Sequence, residues 1–462
     1  MTEYVLLALL AGLGVLLLLV WLASPWKSLL GWVALLSVQL NTQLFFSDFR
    51  PALSDVFVPS LALSLLLVKP ESGAMLRARR SRLPGVVLLF AGLFLILGNA
   101  LAYVELGTIP QWTWLNKDIG LLNLLFCFFA MLQLLDSREK LQAIARVFVL
   151  SVSALNVVAV AGGIARYAFG IPNMMMRENT SLRLVGFLVN PNSYGGLVLC
   201  VLLMQFALLL SRSRLLPLPR RAQQVNLVLL GMACVMTLSR STLLGLALGM
   251  ISLLWFYGLK GSMRLVGWAV VVLVGMTALV SWYAASPVTS SAFWDNELNT
   301  RTITDRLDSN QAALDMLVRG SPLRVLTGVG VGTFLARSQQ YIGIPLLIHN
   351  DFVWLLVETG LWGLLLFGAM MLTSLRNCVE VARLGAAESA IAIGVGCALV
   401  GTLGWMLGTQ GLWHRHVWFL LALSEGCYRL CRKDAPAFSA PQPVRLQKAP
   451  SFVYAAGRAG QR

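Results

Sequence analysis

LVLLGMACVMTLSRSTLLGLALGMISLLWF, residues 227–256, decides the fold. Only the SRST patch at 239–242 interrupts a run of apolar residues long enough to cross a bilayer. A guanidinium at membrane depth costs roughly 2.5–3.5 kcal/mol on insertion scales. Arg240 is kept in this patch, so it is expected to face a cavity and hold an anion. A second costly group, His349, heads another apolar run, IHNDFVWLLVETGLWGL (348–364).

Composition agrees. Hydrophobic residues are 58% of 462 and charged residues 12%, against about 25% charged in soluble domains. Apolar runs fall near 3–23, 28–46, 52–68, 84–104, 115–135, 143–168, 191–210, 224–238, 242–258, 265–284, 350–373, 389–408 and 412–428. The expected fold is an all-α polytopic membrane protein with about 12 transmembrane helices and one larger polar loop. A β-barrel would alternate apolar and polar residues in short segments, and this chain does not. The domains read as transmembrane helices over 1–284 and 350–430, a loop domain over 285–349, and a disordered basic tail over 431–462. The first run lacks a basic leader and a small-residue cleavage site, so it reads as a retained helix.

The net charge of +16 sits in short loops between apolar runs. Lys69, Arg77, Arg79, Arg80 and Arg82 form one group, and Arg212, Arg214, Arg220 and Arg221 another. Arg376, Arg383 and the tail from Arg429 complete the pattern. This is the positive-inside distribution, not a nucleic-acid footprint. It puts 69–82, 136–142, 211–222, 259–264, 374–388 and the C-terminus in the cytoplasm. The opposite face then carries 105–114, 169–190, 239–242, 285–349 and 409–416. Arg177, Arg183, Arg240 and His349 therefore converge on one side. Seven cysteines show no CxxC or disulfide framework and read as small core residues.

The 285–349 segment sets five arginines against five carboxylates with no lysine, which suits folded ion pairs and anion contacts. TITDRLDSNQAALDMLVRG (302–320) reads as an amphipathic helix, with Leu307, Ala312, Leu314 and Leu317 apolar and Thr304 or Asp305 as N-cap. GVGVGTF (328–334) reads as a glycine-rich turn. Asp305 and Asp308, one turn apart, are expected to pair with Arg301 or Arg306 rather than hold a metal. No metal site and no cofactor are expected.

Three constellations could carry chemistry. In RLVGFLVNPNSYGG (183–196), Asn190 caps a helix that starts at Pro191, and Asn192 follows. Free N–H groups at that helix start, with Arg183 close by, suit a phosphate; Arg183 could equally snorkel to headgroups. Arg240 has no acid near it in sequence. Two arginines on a diphosphate would neutralise leaving-group charge. His349 can take a proton at neutral pH, and Asn350 and Asp351 either orient it or cap the helix it precedes. His414 and His416 flank Arg415; a helix would point them to different faces, which is poor for one metal, and they read as interfacial anchors beside Trp413 and Trp418. Glu358 is either packing or a buried polar contact. Such groups point to a charged, lipid-linked substrate. Arg177, with Asn190, Asn192, Asn350 and Asp351, is a secondary site candidate.

The arginine before NPN, the SRS break, GVGxGTF and HNDFxxLLxExGLxGL resemble, in that order and over roughly 180–375, the O-antigen ligase and polymerase superfamily. The resemblance implies a glycosyltransferase C-like helical fold in the bacterial inner membrane with its site facing the periplasm. It implies transfer of glycan from undecaprenyl diphosphate to lipid A–core without metal or nucleotide. Arg183 and Arg240 would grip the diphosphate, and His349 would act as general base. The other partners implied are membrane lipids, with the protein a monomer or weak oligomer. Polymerase activity in the same superfamily is an alternative. A transporter with a broken helix is another, against which stand the lack of an internal repeat and the gathering of charge at one face.

Overall fold

A computed structural model describes Gly14 and residues 24–39, 52–67, 81–178, 182–188, 190–257, 301–319, 321–342, 347–385 and 388–434. Among the described residues, seven helices are long and apolar enough to cross a membrane. The protein is an all-α polytopic membrane protein. The first helices are α1 (Pro25–Ala34), α2 (Phe57–Leu67), α3 (Leu83–Leu106), α4 (Gln111–Leu134) and α5 (Arg138–Phe169). A hairpin of β1 (Met176–Glu178) and β2 (Leu182–Leu184) follows. Then come α6 (Pro191–Leu210), α7 (Arg220–Met236) and α8 (Arg240–Tyr257). The polar segment holds α9 (Arg301–Val318), α10 (Pro322–Thr327) and α11 (Thr333–Ile342). The last three are α12 (Asp351–Arg383), α13 (Ser389–Met406) and α14 (Arg415–Asp434).

α6 and α13 are buried almost throughout and form the middle of the bundle, with α8 and α12 packed on α13. Small residues allow this. A Cβ on Gly245 of α8 would run into the Gly401 carbonyl of α13, so the two backbones nearly touch. All seven cysteines are buried.

Several expectations shift. The apolar run 28–46 is not one helix: α1 stops at Ala34, and Gln39 instead bridges to Ala52. The runs at 3–23 and 265–284, and the tail beyond 434, lie outside the described residues. The basic stretch 374–388 is helical as far as Arg383. It is held because Glu380 receives Arg376 one turn away and Arg432 of α14, and Asn377 donates to the buried Glu425.

In the polar segment, α9 forms as expected, with Ala312 and Leu317 buried; Ala313 and Met316 join them on that face, and Leu307 is 58% exposed. Thr304 and Asp305 lie inside α9, not at its cap, because the helix already runs from Arg301. Arg324 and Arg337 pair with Glu105 at the end of α3, so the segment's arginines reach out of it to the bundle. Glu105 carries little exposure there, and two guanidinium partners offset its desolvation.

Candidate functional site

α12 is broken where the glycine-rich turn meets it. Gly360 interrupts the helix with φ +70°. The 328–332 turn inserts there: Val329 N donates to the Val357 carbonyl at 2.9 Å, Gly330 N to the Glu358 carbonyl at 3.1 Å, and Gly332 N to Glu358 Oε2 at 2.9 Å. Val331 N donates to the Gly98 carbonyl of α3. Glu358 is thus a buried polar contact that satisfies a loop amide, and the glycines serve this clasp. α3 and α4 each carry a π-helical turn beside it, Leu93–Gly98 and Trp114–Asp118.

The SRST patch is a turn between two helices. α7 ends at Met236, Leu238 takes φ +49°, and α8 begins at Arg240, with Ser239 Oγ receiving the Thr242 amide. Arg240 therefore stands at a helix end with its side chain exposed, not in the middle of a span.

Arg183 reaches the same turn. Its Nε donates to the Thr237 carbonyl at 2.8 Å, and Nη2 to the Leu238 carbonyl at 3.3 Å and Asn192 Oδ1 at 3.1 Å. These bonds join the hairpin, the turn and the start of α6. Asn190 caps α6 as expected, accepting from Asn192 N and Ser193 N. Arg177 lies directly opposite Arg183 in the hairpin register and is exposed. Opposed residues of a pair share a face, and like charges there destabilise it.

His349 sits in the turn before α12. Burial, and then the Arg306 guanidinium, push its imidazole down to about 4, so it is neutral at pH 7. Arg306 Nη1 donates to the Gly408 carbonyl at 3.2 Å. Gly408 in turn packs against Ser241, the neighbour of Arg240. Arg306 thus acts electrostatically on the histidine while bonding the Gly408 carbonyl beside the α7–α8 turn. Sequence reasoning gave Arg306 only an ion-pair role, since nothing in the primary sequence brings Gly408 to α9. Asn350 caps α12 through Phe352 N and Val353 N. Asp351 is wholly buried, and its Oδ2 accepts from Gly411 N at 2.6 Å and Leu412 N at 3.0 Å. Neither residue bonds the His349 ring.

His414 and His416 are not interfacial anchors. His416 is buried, and the two rings stack on each other at 5.5 Å and beside Trp405. His414 precedes the first residue of α14, so the helical spacing argument does not apply to the pair. His414 Nε2 lies 3.3 Å from Ser193 Oγ at the start of α6. Trp418 is buried, donating to the Leu412 carbonyl.

Lys117 was missed. It is buried on α4, its Nζ 4.3, 5.0 and 5.4 Å from the ring centres of Trp413, Trp354 and Trp112. It donates to Gln410 Oε1 at 2.9 Å, and Asp351 and Glu358 act on it electrostatically. The signal was present: two adjacent charges, Lys117 and Asp118, inside an apolar run. Among the described residues no group of three or more His, Cys, Asp or Glu could hold a metal ion.

One comparison bears on this arrangement. Residues 225–368 match the model of the O-antigen ligase family. The chain carries an O-antigen ligase domain. That domain takes in Arg240, Arg306, the glycine turn, His349 and the break at Gly360, and its family implies glycosyltransferase-like ligase activity on a lipid-linked glycan in a membrane. Arg183, the NPN motif and Lys117 lie upstream of the matched residues. No curated protein matches the chain.

Proposed function

We propose that the protein transfers O-antigen polysaccharide from undecaprenyl diphosphate to lipid A–core at the periplasmic face of the bacterial inner membrane. The observation that carries this is the grouping of His349, Arg306 and the Arg240-bearing turn within the ligase domain. Arg240 grips the diphosphate. Arg183 holds the 237–238 carbonyls and adds charge beside it, with Arg177 opposite on the same hairpin face. An exposed Arg177 opposite a half-buried Arg183 suits an anionic ligand.

In the step, the acceptor hydroxyl oxygen attacks the anomeric carbon and the carbon–oxygen bond to the diphosphate breaks. The hydroxyl proton goes to the neutral His349 ring, and undecaprenyl diphosphate leaves with inversion. Neutralising the leaving group's charge with guanidinium groups lowers the barrier where charge develops. Orientation is periplasmic on the strength of the basic loops at 69–82 and 211–222.

The test is reconstituted transfer: purified protein, undecaprenyl-diphosphate glycan and lipid A–core, with EDTA present, products separated on a gel. Laddered lipopolysaccharide is expected. His349→Ala is expected to abolish it with the protein still folded and inserted. Arg240→Lys is expected to lose most activity, because a point charge does not reproduce a bidentate fork on phosphate. Longer lipid-linked glycan with no ladder would make the protein a polymerase instead.

A further inference from the structure

A general base must approach its hydroxyl within hydrogen-bond reach and in line. In most such sites a second side chain orients the imidazole. Among the described residues none donates to or accepts from the His349 ring. Its direction is set instead by its backbone, and the backbone of 347–351 is tied down residue by residue. Ser309 Oγ of α9 donates to the Leu347 carbonyl at 3.3 Å. Gln410 Nε2 donates to the Ile348 carbonyl at 2.8 Å. Asn350 and Asp351 are committed to the α12 cap and to the Gly411 and Leu412 amides. Of these ties, the one from Gln410 is next to His349 and comes from a side chain with two possible orientations.

Lys117 removes that choice. An ammonium donates and cannot accept. Since Lys117 Nζ meets Gln410 at 2.9 Å, the amide oxygen must face the lysine, and the NH₂ group is turned to the Ile348 carbonyl. Three indole rings hold the ammonium in place, at energies of up to about 2 kcal/mol per contact when desolvated. We propose that Lys117 and Gln410 are positioning residues for His349: the lysine fixes the amide, the amide fixes the Ile348 carbonyl, and that carbonyl aims the imidazole at the acceptor. The proposal rests on the general-base reading of His349. It also accounts for a buried lysine 232 residues away from the histidine in sequence, a separation that follows from their numbers, 349 − 117.

Gln410→Glu is the discriminating variant. A carboxylate still accepts from Lys117, so the buried charge keeps its partner, but it offers Ile348 no donor. Lys117→Met is less useful, because it strands Asp351 and Glu358 and the chain could fail to fold. In the reconstituted assay Gln410→Glu is expected to lower kcat about 10-fold to 100-fold, the scale of a small misplacement of a catalytic group. KM for the lipid-linked donor should stay at the parent value, since no substrate contact is removed, and the detergent melting temperature should fall by no more than the few degrees that one lost hydrogen bond costs. Unchanged kcat overturns the proposal. A loss of kcat that comes with an equal loss of melting temperature also overturns it, in favour of a purely structural role. His349→Ala run alongside separates the two readings. If that variant transfers normally, the general-base reading itself falls; if it is dead while Gln410→Glu is normal, only the positioning role does.

Discussion

Arg183 and Arg240 read alike in the sequence, yet they do different work. Arg183 places donors on two main-chain carbonyls and an asparagine, which fastens the turn. Arg240 opens the helix that this turn releases and is exposed. Where each guanidinium makes its bonds depends on where carbonyls fall in space, and no local pattern carries that. His349 was legible because histidine is scarce and this one heads an apolar run. Its environment was not. With the imidazole pushed down to about 4 by burial and Arg306, the free enzyme holds the base in its active, neutral form throughout the physiological range. Protonation switches the base off, and it sets in only as pH falls towards about 4. The profile of kcat/KM should therefore be flat between pH 5.5 and 8, with no inflection near the ordinary histidine value of about 6.5. A clear inflection between pH 6 and 7 would mean that the ring is solvated and clear of Arg306.

At the scale of elements, the glycine-rich motif is the instructive one. GVGVG looks like a ligand loop, but its amides close on a broken helix and on the end of α3. Gly330 has φ +99° and lies against the Ala102 backbone, so a side chain there meets both a forbidden conformation and a collision. Gly330→Ala is expected to destabilise the protein by about 3 kcal/mol, summing the left-handed penalty and the overpacking. The check is a fall in detergent melting temperature, with Gly368→Ala, which would meet nothing within 4 Å, as the tolerated control. Equal melting of the two variants would mean that the clasp at Gly360 is not what holds the polar segment on α12. The amphipathic α9 was predictable from its apolar spacing, whereas the strands of the hairpin, three residues each, are too short to leave a period.

Over the whole molecule, the basic loops imply one orientation, and it can be measured without a cysteine-free background because the native thiols are buried. Gln111→Cys and Arg214→Cys both replace exposed residues at opposite loop sets. An impermeant maleimide on intact spheroplasts should label Gln111→Cys and leave Arg214→Cys unlabelled until the membrane is opened; the reverse would put the candidate site in the cytoplasm. By itself the sequence determined the class of the molecule and most of its helices, because hydropathy acts locally along the chain. Only the tertiary structure decided that Arg306 stands beside His349, that Glu358 serves a loop amide, that the two histidines stack, and that Lys117 lies under the His349 turn. Except for the stacked histidines, which are two residues apart, each of those pairings joins residues far apart in sequence through a hydrogen bond or a desolvated charge. Such contacts form only once helix packing has brought the partners within a few ångströms and driven the water out.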